Sequence, residues 1–493
     1  MELGWPALLF RSYIILYLCL SLLKMKKIIL FELNEVPQKI VEYYCKCRPN
    51  STLARIRNST KKFETYTENK GHLSPWNTWP TLHRGVTNQQ HYIADFNQDL
   101  TEVDKEYPPI WKILTEAGVK VGMFGSLHSY PMPKSLENYE FYVPDVFASG
   151  KECFPKNVEI FQDFNLKLSR ESARNVERKI PFGDAIKLLI NVPELGFKLD
   201  TIADTGAQLI KERIKPWQKV RRRTYQTILS FDVFYKLLEK TKPGFVTFFT
   251  NHVASSMHRY WGACFPNEYE TVQFEDEWLD TFENEILFTM DKADKMIGRL
   301  CKFTDKNPDY LLLVTSSMGQ NAFESQPTET QLYITNKDAF MKMLGLGKGS
   351  YEFMPAMYPQ FNVQVEESGI SKFRDHLNTF TINGNKAEYR EHANGFFSVD
   401  LGHPNLTSAE ISVNGQEISI DQSGLENVEI QDKSGTTAYH IPEGICFAYH
   451  PSFNENGTQT TISSAEICPM LLNNFNVKVP DYMPKTNYNL AEA

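Results

Sequence analysis

Short apolar runs of β type alternate along this chain with amphipathic helical stretches. Four runs have the length and the β-branched or aromatic content of buried strands: Ile28–Leu33, Val119–Phe124, Gly244–Thr250 and Tyr310–Thr315. Helical periodicity fills the intervals, as over 38–47 and Glu285–Lys302. Strands that are apolar on both faces need helices on both faces. The alternation therefore predicts an α/β fold with a mainly parallel central sheet flanked by helices.

Two stretches depart from this alternation. Residues 151–215 carry no strand signal and are predicted to form a helical cap insertion. Residues 351–438 contain short alternating runs with Asn-Gly turns at 383–384 and 414–415, which predict a small β-rich subdomain near the C-terminus. The remaining segments are assigned to the α/β core: 25–150, 216–350 and 439–493.

The first residues allow two interpretations. Residues 12–23 are apolar and uncharged, but they are shorter than the roughly 20 residues that span a bilayer. No small-residue cleavage site follows, and the first strand begins almost at once. Residues 1–24 are then a dispensable leader or a mis-called start of a cytoplasmic protein that begins at Met25. The alternative is that residues 5–23 anchor the chain in a membrane or direct its export, and only then is membrane contact expected.

Charge and cysteine content exclude several classes. The formal net charge is −8, whereas a general nucleic-acid binder needs a basic face, so no nucleic-acid partner is expected. The basic run Lys219–Arg223 is interpreted as a solvated helix face. Eight cysteines without paired C-x-x-C spacing indicate reduced structural thiols.

Polar segments follow or precede the predicted strands at one edge of the sheet. They are Asn34-Glu35, Asn251-His252, Ser316–Gly319 and Tyr439-His440. Ligands of open α/β sheets bind just beyond the carboxyl ends of the strands. These segments are therefore predicted to meet in a functional site.

A further polar segment, Ser74–Gly85, reads as the beginning of a helix. Thr78 is predicted to be its N-cap, with Pro80 in the first turn. That position would put a hydroxyl where backbone N–H groups and the helix dipole attract an anion. The alternative is that Thr78 only caps the helix.

Five motifs follow one another in a set order between residues 28 and 483. They are Thr78–Pro80, the helix, Ala-Gly and strand element Ile110–Gly125, the His-x-x-Trp segment His258–Trp261, the His-x-x-x-Gly segment His440–Gly444, and the closing segment Glu466–Met483. Their content and order resemble the alkaline phosphatase superfamily, and within it the phosphodiesterase and nucleotide pyrophosphatase branch. The resemblance implies an alkaline-phosphatase-like fold and a hydrolase of phosphodiesters or sulfate esters with Thr78 as nucleophile.

Members of that superfamily use two metal ions, usually zinc, held by Asp and His. Here Asn34 replaces the Asp after the first strand, unless Glu32 or Glu35 substitutes for it. The Ser-Asp-His-Gly motif reads Ser316–Gly319, and Ala254 replaces another Asp. One metal site is therefore expected to be dismantled.

The other site is expected to hold one divalent ion, with zinc favoured. The resemblance gives its ligands as His258 and His440, with His252 and Asn34 as further candidates. Arg84 is expected to supply positive charge that the missing metal no longer provides. The alternative for Arg84 is an exposed helix face.

Three functions remain open from the residues. The first is the hydrolase, acting on a small anionic ester. The second is a catalytically impaired pseudoenzyme that binds an anionic ligand, because Ser317 and Met318 replace metal ligands. The third is a transferase that passes a phospho-group to a glycan or lipid.

Overall fold

The computed structural model describes residues 27–58, 61–170, 192–271, 274–324, 326–356, 359–402, 404–430, 433–453, 459–486, 488 and 490. The predicted leader 1–24 and its apolar stretch lie outside these residues, as does the middle of the predicted cap, 171–191. Within the described ranges, every helix is too short or too polar to cross a bilayer.

The described chain alternates strands and helices. The strands are β1 (Lys27–Leu33), β2 (Lys61–Tyr66), β3 (Val121–Phe124), β4 (Tyr139–Val143), β5 (Phe245–Thr250), β6 (Tyr310–Thr315), β7 (Gly319–Ala322), β8 (Thr330–Ile334), β9 (Tyr351–Met354), β10 (Gln360–Val365), β11 (Thr381–Ile382), β12 (Asn385–Lys386), β13 (Glu388–Glu391), β14 (Phe396–Asp400), β15 (Ile411–Val413), β16 (Gln416–Ile418), β17 (Leu425–Glu429), β18 (Ala438–Ile441), β19 (Glu443–Tyr449) and β20 (Gln459–Ser463). The α-helices are α1 (Gln38–Cys47), α2 (Thr52–Asn58), α3 (Pro75–Arg84), α4 (Asn88–His91), α5 (Val103–Glu106), α6 (Ile110–Glu116), α7 (Glu159–Arg170), α8 (Val192–Leu195), α9 (Leu199–Ile214), α10 (Arg222–Thr241), α11 (His252–Cys264), α12 (Asp276–Phe282), α13 (Glu285–Lys306), α14 (Lys337–Met343), α15 (Glu367–Thr379), α16 (Ile420–Ser423) and α17 (Ile467–Asn474).

Eight strands form the central sheet in the order β20-β2-β19-β6-β1-β5-β3-β4. Every neighbouring pair is parallel except the two that involve β19. The predicted α/β class with a mainly parallel sheet is confirmed. Because β19 runs against its neighbours, its first residues lie at the same edge as the carboxyl ends of the other strands.

Both faces of the sheet are covered by helices. On one face Ile29, Phe31 and Leu33 of β1 pack with residues of α1, α10, α11 and α13. On the other face Ile28 and Leu30 pack with residues of α3, α6 and α17. The period of two along β1 assigns alternate side chains to the two layers, so nearly the whole strand is apolar.

A separate apolar cluster runs from Leu332 to Leu425 and defines the β-rich subdomain. The Asn-Gly turns are confirmed: Asn383 and Gly384 have positive φ, which a type I′ hairpin turn requires. The cluster also includes Leu332, which lies before residue 351. Helix α15 interrupts the predicted strands because Phe373 and Leu377, four residues apart, give it a buried face.

Candidate metal centre

The topology brings the predicted polar segments to one edge of the central sheet. Asn34-Glu35 follows β1, and Asn251-His252 follows β5. Ser316–Gly319 follows β6, and Gly319 begins β7, which pairs with β18. In that pair His440 lies opposite Gln320. A side chain on Gly319 would collide with the Glu443 carbonyl oxygen, so the close approach of these segments depends on glycine.

Glu35, His258 and His440 form a cluster of potential metal ligands at this edge. Glu35 Oε2 lies 2.9 Å from His258 Nε2 and 3.3 Å from His440 Nε2. All three ligand atoms lie within 4.8 Å of one another. Neighbouring ligands on a tetrahedral zinc ion, with bonds of about 2.0–2.1 Å, would be roughly 3.3 Å apart. The spacing therefore suits one such ion. In the described part of the chain this is the single cluster of three such ligands.

The hydrogen bonds of Nδ1 in each histidine indicate whether Nε2 is available to a metal ion. His258 Nδ1 donates to the Ala438 carbonyl at 2.7 Å, and His440 Nδ1 donates to the Leu73 carbonyl at 2.7 Å. Without a metal, a protonated ring donates from Nε2 to the Glu35 carboxylate, whereas a neutral ring carries a lone pair there. A divalent cation would replace the two Nε2 protons, with both lone pairs and the carboxylate as its ligands. Histidines oriented in this way through Nδ1 are usual around bound metals, so the residues present fit a divalent ion.

The charges of the cluster shift the pKa values of its members Glu35 and His440. Burial alone would raise the pKa of Glu35, but the charges and hydrogen bonds of His440 and His258 hold it well below its usual range. Burial alone would lower the pKa of His440, yet Glu35 and the Leu73 carbonyl raise it. Glu35 is therefore ionised at neutral pH, as a metal ligand must be.

Glu35 is held in place by its neighbours and by its backbone. It has a φ of 58°, in the left-handed region that is unfavourable for a residue with a side chain. Asn34 Nδ2 donates to Glu35 Oε1 at 2.8 Å, and Gln320 Nε2 donates to Glu35 Oε2. Both carboxylate oxygens are thus fixed. A strained backbone at such a place indicates a functional constraint.

The prediction that Thr78 caps a helix is wrong. Helix α3 begins at Pro75, with Ser74 as its N-cap. The Ser74 N–H donates to Asn77 Oδ1 at 3.3 Å, and Pro75 suits the first turn because its missing N–H is not needed there. Thr78 lies inside the helix and is fully buried. Its hydroxyl donates to the Ser74 carbonyl at 3.1 Å and lies 2.8 Å from Ser317 Oγ.

Two of the four predicted metal ligands do not join the cluster. The Asn34 side chain is used by neighbours, since Nδ2 also donates to Asn251 Oδ1 at 2.8 Å and Oδ1 accepts from Trp79 Nε1 at 2.7 Å. His252 is buried, and its Nε2 donates to the Thr289 carbonyl at 3.2 Å. Burial lowers the pKa of His252 to about 4. Asn34 positions Glu35, and His252 faces α13.

Arg84 also lies away from the cluster, which corrects its expected role beside the substrate. Its side chain is buried at the end of α3, where Nη1 donates to the Tyr107 carbonyl at 2.6 Å. Nη2 lies 2.8 Å from Asp104 Oδ1. Burial lowers the pKa of Arg84 although Asp104 opposes this. The alternative of an exposed helix face is excluded as well.

Sequence reasoning left out or underrated three residues of the site. Glu35 was only an alternative to Asn34, and Gln320 and His72 were not singled out. His72 is exposed at the outer side of the cluster, with its ring centroid 6.3 Å from that of His440 and its Nε2 3.3 Å from Tyr439 Oη. The position of Gln320 could have indicated it, because Gln320 directly follows Gly319, the last residue of the aligned motif.

Comparisons with known proteins give structures but no sequence relatives. No protein-family model matches this sequence, and no curated protein matches it. Murine ectonucleotide pyrophosphatase/phosphodiesterase 5, in an inactive form in complex with AMP, is 12% identical over 92% of this chain and 96% of its own, with a TM-score of 0.41.

Two further structures are similar to the same degree. The alkaline phosphatase from the Antarctic bacterium TAB5 is 10% identical over 92% of this chain and 99% of its own, with a TM-score of 0.36. Phosphonoacetate hydrolase from Sinorhizobium meliloti, in complex with phosphonoacetate, is 10% identical over 91% of this chain and 96% of its own, with a TM-score of 0.39.

Proposed function

We propose that this chain is a metal-dependent hydrolase of small phosphate esters, with phosphodiesters first and sulfate esters second. Glu35, His258 and His440 would hold one divalent ion. The observation that carries this proposal is that both Nε2 atoms face Glu35 Oε2 while both Nδ1 atoms are used by backbone carbonyls. Two imidazoles and a carboxylate are a donor set of catalytic zinc sites, so zinc is the expected metal.

A bound divalent cation would supply Lewis acidity toward a phosphoryl or sulfuryl oxygen. The chain's own residues do the positioning. Gln320 and Asn34 hold the two oxygens of Glu35, and the Ala438 and Leu73 carbonyls fix the planes of the two imidazoles. Preorganised groups need no rearrangement when substrate binds, and this lowers the barrier of the reaction.

Thr78 is the proposed nucleophile. Its Oγ1 would form a bond to the phosphorus of the ester, the bond to the alcohol would break, and the hydroxyl proton would leave with that alcohol. Water would then cleave the phosphothreonine and release the acid. Thr78 Oγ1 must first exchange its hydrogen bond to the Ser74 carbonyl for contact with substrate. The Ser317 hydroxyl, 2.8 Å away, supports its position.

A second candidate is a pseudoenzyme that binds an anionic ligand without turnover. The enclosure of Thr78 favours it, because the side chain is fully buried and its hydroxyl already has two partners. Ser317 and Met318 are poor zinc ligands, so a second ion is not expected beside the first. Turnover that depends on Thr78 would exclude this candidate.

The test combines metal content with hydrolysis. Elemental mass spectrometry and assays with bis(p-nitrophenyl) phosphate, p-nitrophenyl phosphate and p-nitrophenyl sulfate are run on the full chain, His440→Ala and Glu35→Gln. His376→Ala is the matched control, because His376 is a half-buried histidine on α15 that does not belong to the cluster. We expect about one ion per chain, lost in both site variants, and activity that falls at least about 100-fold with it. Equal metal in all four proteins would refute the proposed site. Metal without turnover of any ester would favour the pseudoenzyme.

A further inference from the structure

Helix α9 packs against the rest of the protein through polar side chains. Thr201, Gln208 and Glu212 are buried. Gln208 Nε2 donates to the Gln218 carbonyl at 2.9 Å, and Glu212 accepts from Arg222 Nε at 2.9 Å. A surface helix usually turns its apolar face toward the core, so this arrangement calls for an explanation on the outer side.

The outer side of α9 is apolar. Leu199, Ile210 and Ile214 have exposed fractions of 83%, 64% and 75%, and Ala203 is exposed between them. At 3.6 residues per turn these four positions lie within a sector of about 60°. They form one continuous stripe along the helix. Large exposed apolar side chains gathered in this way mark an interaction surface.

Cations flank the stripe toward its C-terminal end. Lys211, Arg213, Lys215 and Lys219 are exposed. The single acidic residue among 205–219 is Glu212, which is buried and paired with Arg222. Lys219 is also the exposed end of the basic run Lys219–Arg223, whereas Arg221 is held by Glu285. This concentration of positive charge stands on a chain whose net charge is −8.

We infer that the basic apolar stripe, defined as Leu199, Ala203, Ile210 and Ile214 with Lys211, Arg213, Lys215 and Lys219, binds the surface of an anionic lipid bilayer. Helix α9 would lie in the plane of the interface, with the apolar side chains among the acyl chains and the cations at the headgroups. A second copy of this chain is a poorer occupant, because two such surfaces would bring like charges together. The inference does not depend on the proposed hydrolase activity.

The test is sedimentation of the full chain with vesicles of phosphatidylcholine alone and with about one third phosphatidylserine. We expect binding to the anionic vesicles and little to the neutral ones. Ile210→Ser with Ile214→Ser, and Lys211→Glu with Arg213→Glu, should each weaken binding at least about tenfold. All these residues are exposed, so the variants should have the same melting temperature as the wild type. The controls are Tyr92→Ser, at a residue 73% exposed elsewhere, and Lys342→Glu with Lys372→Glu on the β-rich subdomain.

Two results would overturn the inference. One is equal binding by the stripe variants and the wild type, which would assign membrane binding to another part of the chain such as residues 12–23. The other is no binding of the wild type to anionic vesicles. Ester hydrolysis measured without lipid should be the same in the stripe variants and the wild type, so a failure here and a failure of the proposed function are distinguishable.

Discussion

Thr78 Oγ1 and Ser317 Oγ lie 2.8 Å apart, and both side chains are fully buried. The one hydroxyl proton of Thr78 goes to the Ser74 carbonyl, so Ser317 is the donor between the two hydroxyls. The segment after β6 thus fixes a residue of α3. Through Gln320, the same segment also fixes Glu35. The proposed nucleophile and the proposed metal ligand are therefore positioned by one short stretch of chain.

Substitutions of Thr78 should separate catalysis from stability. Thr78→Ala removes the hydroxyl and leaves Ser317 Oγ buried without this partner, which should lower the free energy of unfolding by about 1–3 kcal/mol. If Thr78 is the nucleophile, turnover should also fall by at least about 1000-fold. Thr78→Ser keeps the hydroxyl and should retain most of the activity. Steady-state kinetics and urea unfolding on the same preparations measure both effects.

The control for this prediction is Ser317→Ala. It removes the supporting hydrogen bond but keeps the hydroxyl of Thr78. We expect a similar loss of stability and a much smaller loss of turnover. If Thr78→Ala and Ser317→Ala reduced turnover equally, Thr78 would be a structural residue and not a nucleophile.

Gln320→Ala should weaken metal binding without removing a ligand. Gln320 Nε2 donates to Glu35 Oε2 and to the Ala254 carbonyl at 3.2 Å. Loss of such a supporting contact usually costs about 10–100-fold in metal affinity. Competition with a fluorescent zinc chelator measures it. Gln364→Ala, in β10, is the matched control and should bind metal as the wild type does.

The central sheet could be predicted because its signal is local. The run Ile28–Leu33 is apolar at every position except Glu32, and such a nearly continuous apolar run is typical of a strand that is buried on both faces. The start of α3 was misplaced because Ser74 and Thr78 are both good N-cap residues. Pro75 and Asn77 decide for Ser74, through the first-turn preference of proline and the capping-box hydrogen bond from the Ser74 N–H to Asn77 Oδ1.

The metal cluster was only partly predictable. His258 and His440 follow from motif order, but the third ligand depends on a single φ angle. The left-handed conformation of Glu35 turns its carboxylate toward the histidines, while Asn34 turns toward Trp79. Sequence spacing alone does not distinguish two adjacent polar residues in a turn. The orientation of the Arg84 side chain likewise depends on a hydrogen bond to the Tyr107 carbonyl, which is distant in sequence.

Arg84 should matter for stability and not for substrate binding. Arg84→Met keeps much of the buried volume but leaves the Tyr107 carbonyl and Asp104 without their partner. We expect a loss of about 2–4 kcal/mol in the free energy of unfolding. The KM for a phosphate ester, measured at a temperature where the variant is folded, should stay within about twofold of the wild type. A large rise in KM with unchanged stability would restore Arg84 to the substrate site.

Asp95 should stabilise the contact between the α/β core and the β-rich subdomain in a pH-dependent way. The buried carboxylate accepts from Arg390 Nε at 2.7 Å, from His392 Nε2 at 2.7 Å and from Gln360 Nε2 at 3.1 Å. Burial alone would raise the pKa of Asp95, but the hydrogen bonds and charges of Arg390 and then His392 hold it well below its usual range. Asp95→Asn removes the negative charge and replaces one acceptor oxygen by an NH2 group that faces N–H donors. We therefore expect a loss of about 3 kcal/mol in the free energy of unfolding near neutral pH.

The sign of the pH effect follows from the lowered pKa. The stabilisation by Asp95 is fully present above the pKa of an unfolded aspartate, about 3.9, and is lost as the pH falls further toward the folded value. The difference in unfolding free energy between the wild type and Asp95→Asn should therefore shrink when urea unfolding is repeated between about pH 5 and about pH 3. Asp99→Asn, at an exposed residue of the same loop, should show a difference below about 1 kcal/mol at each pH. A difference for Asp95→Asn that stayed constant over this range would mean that shape and not charge holds the two parts together.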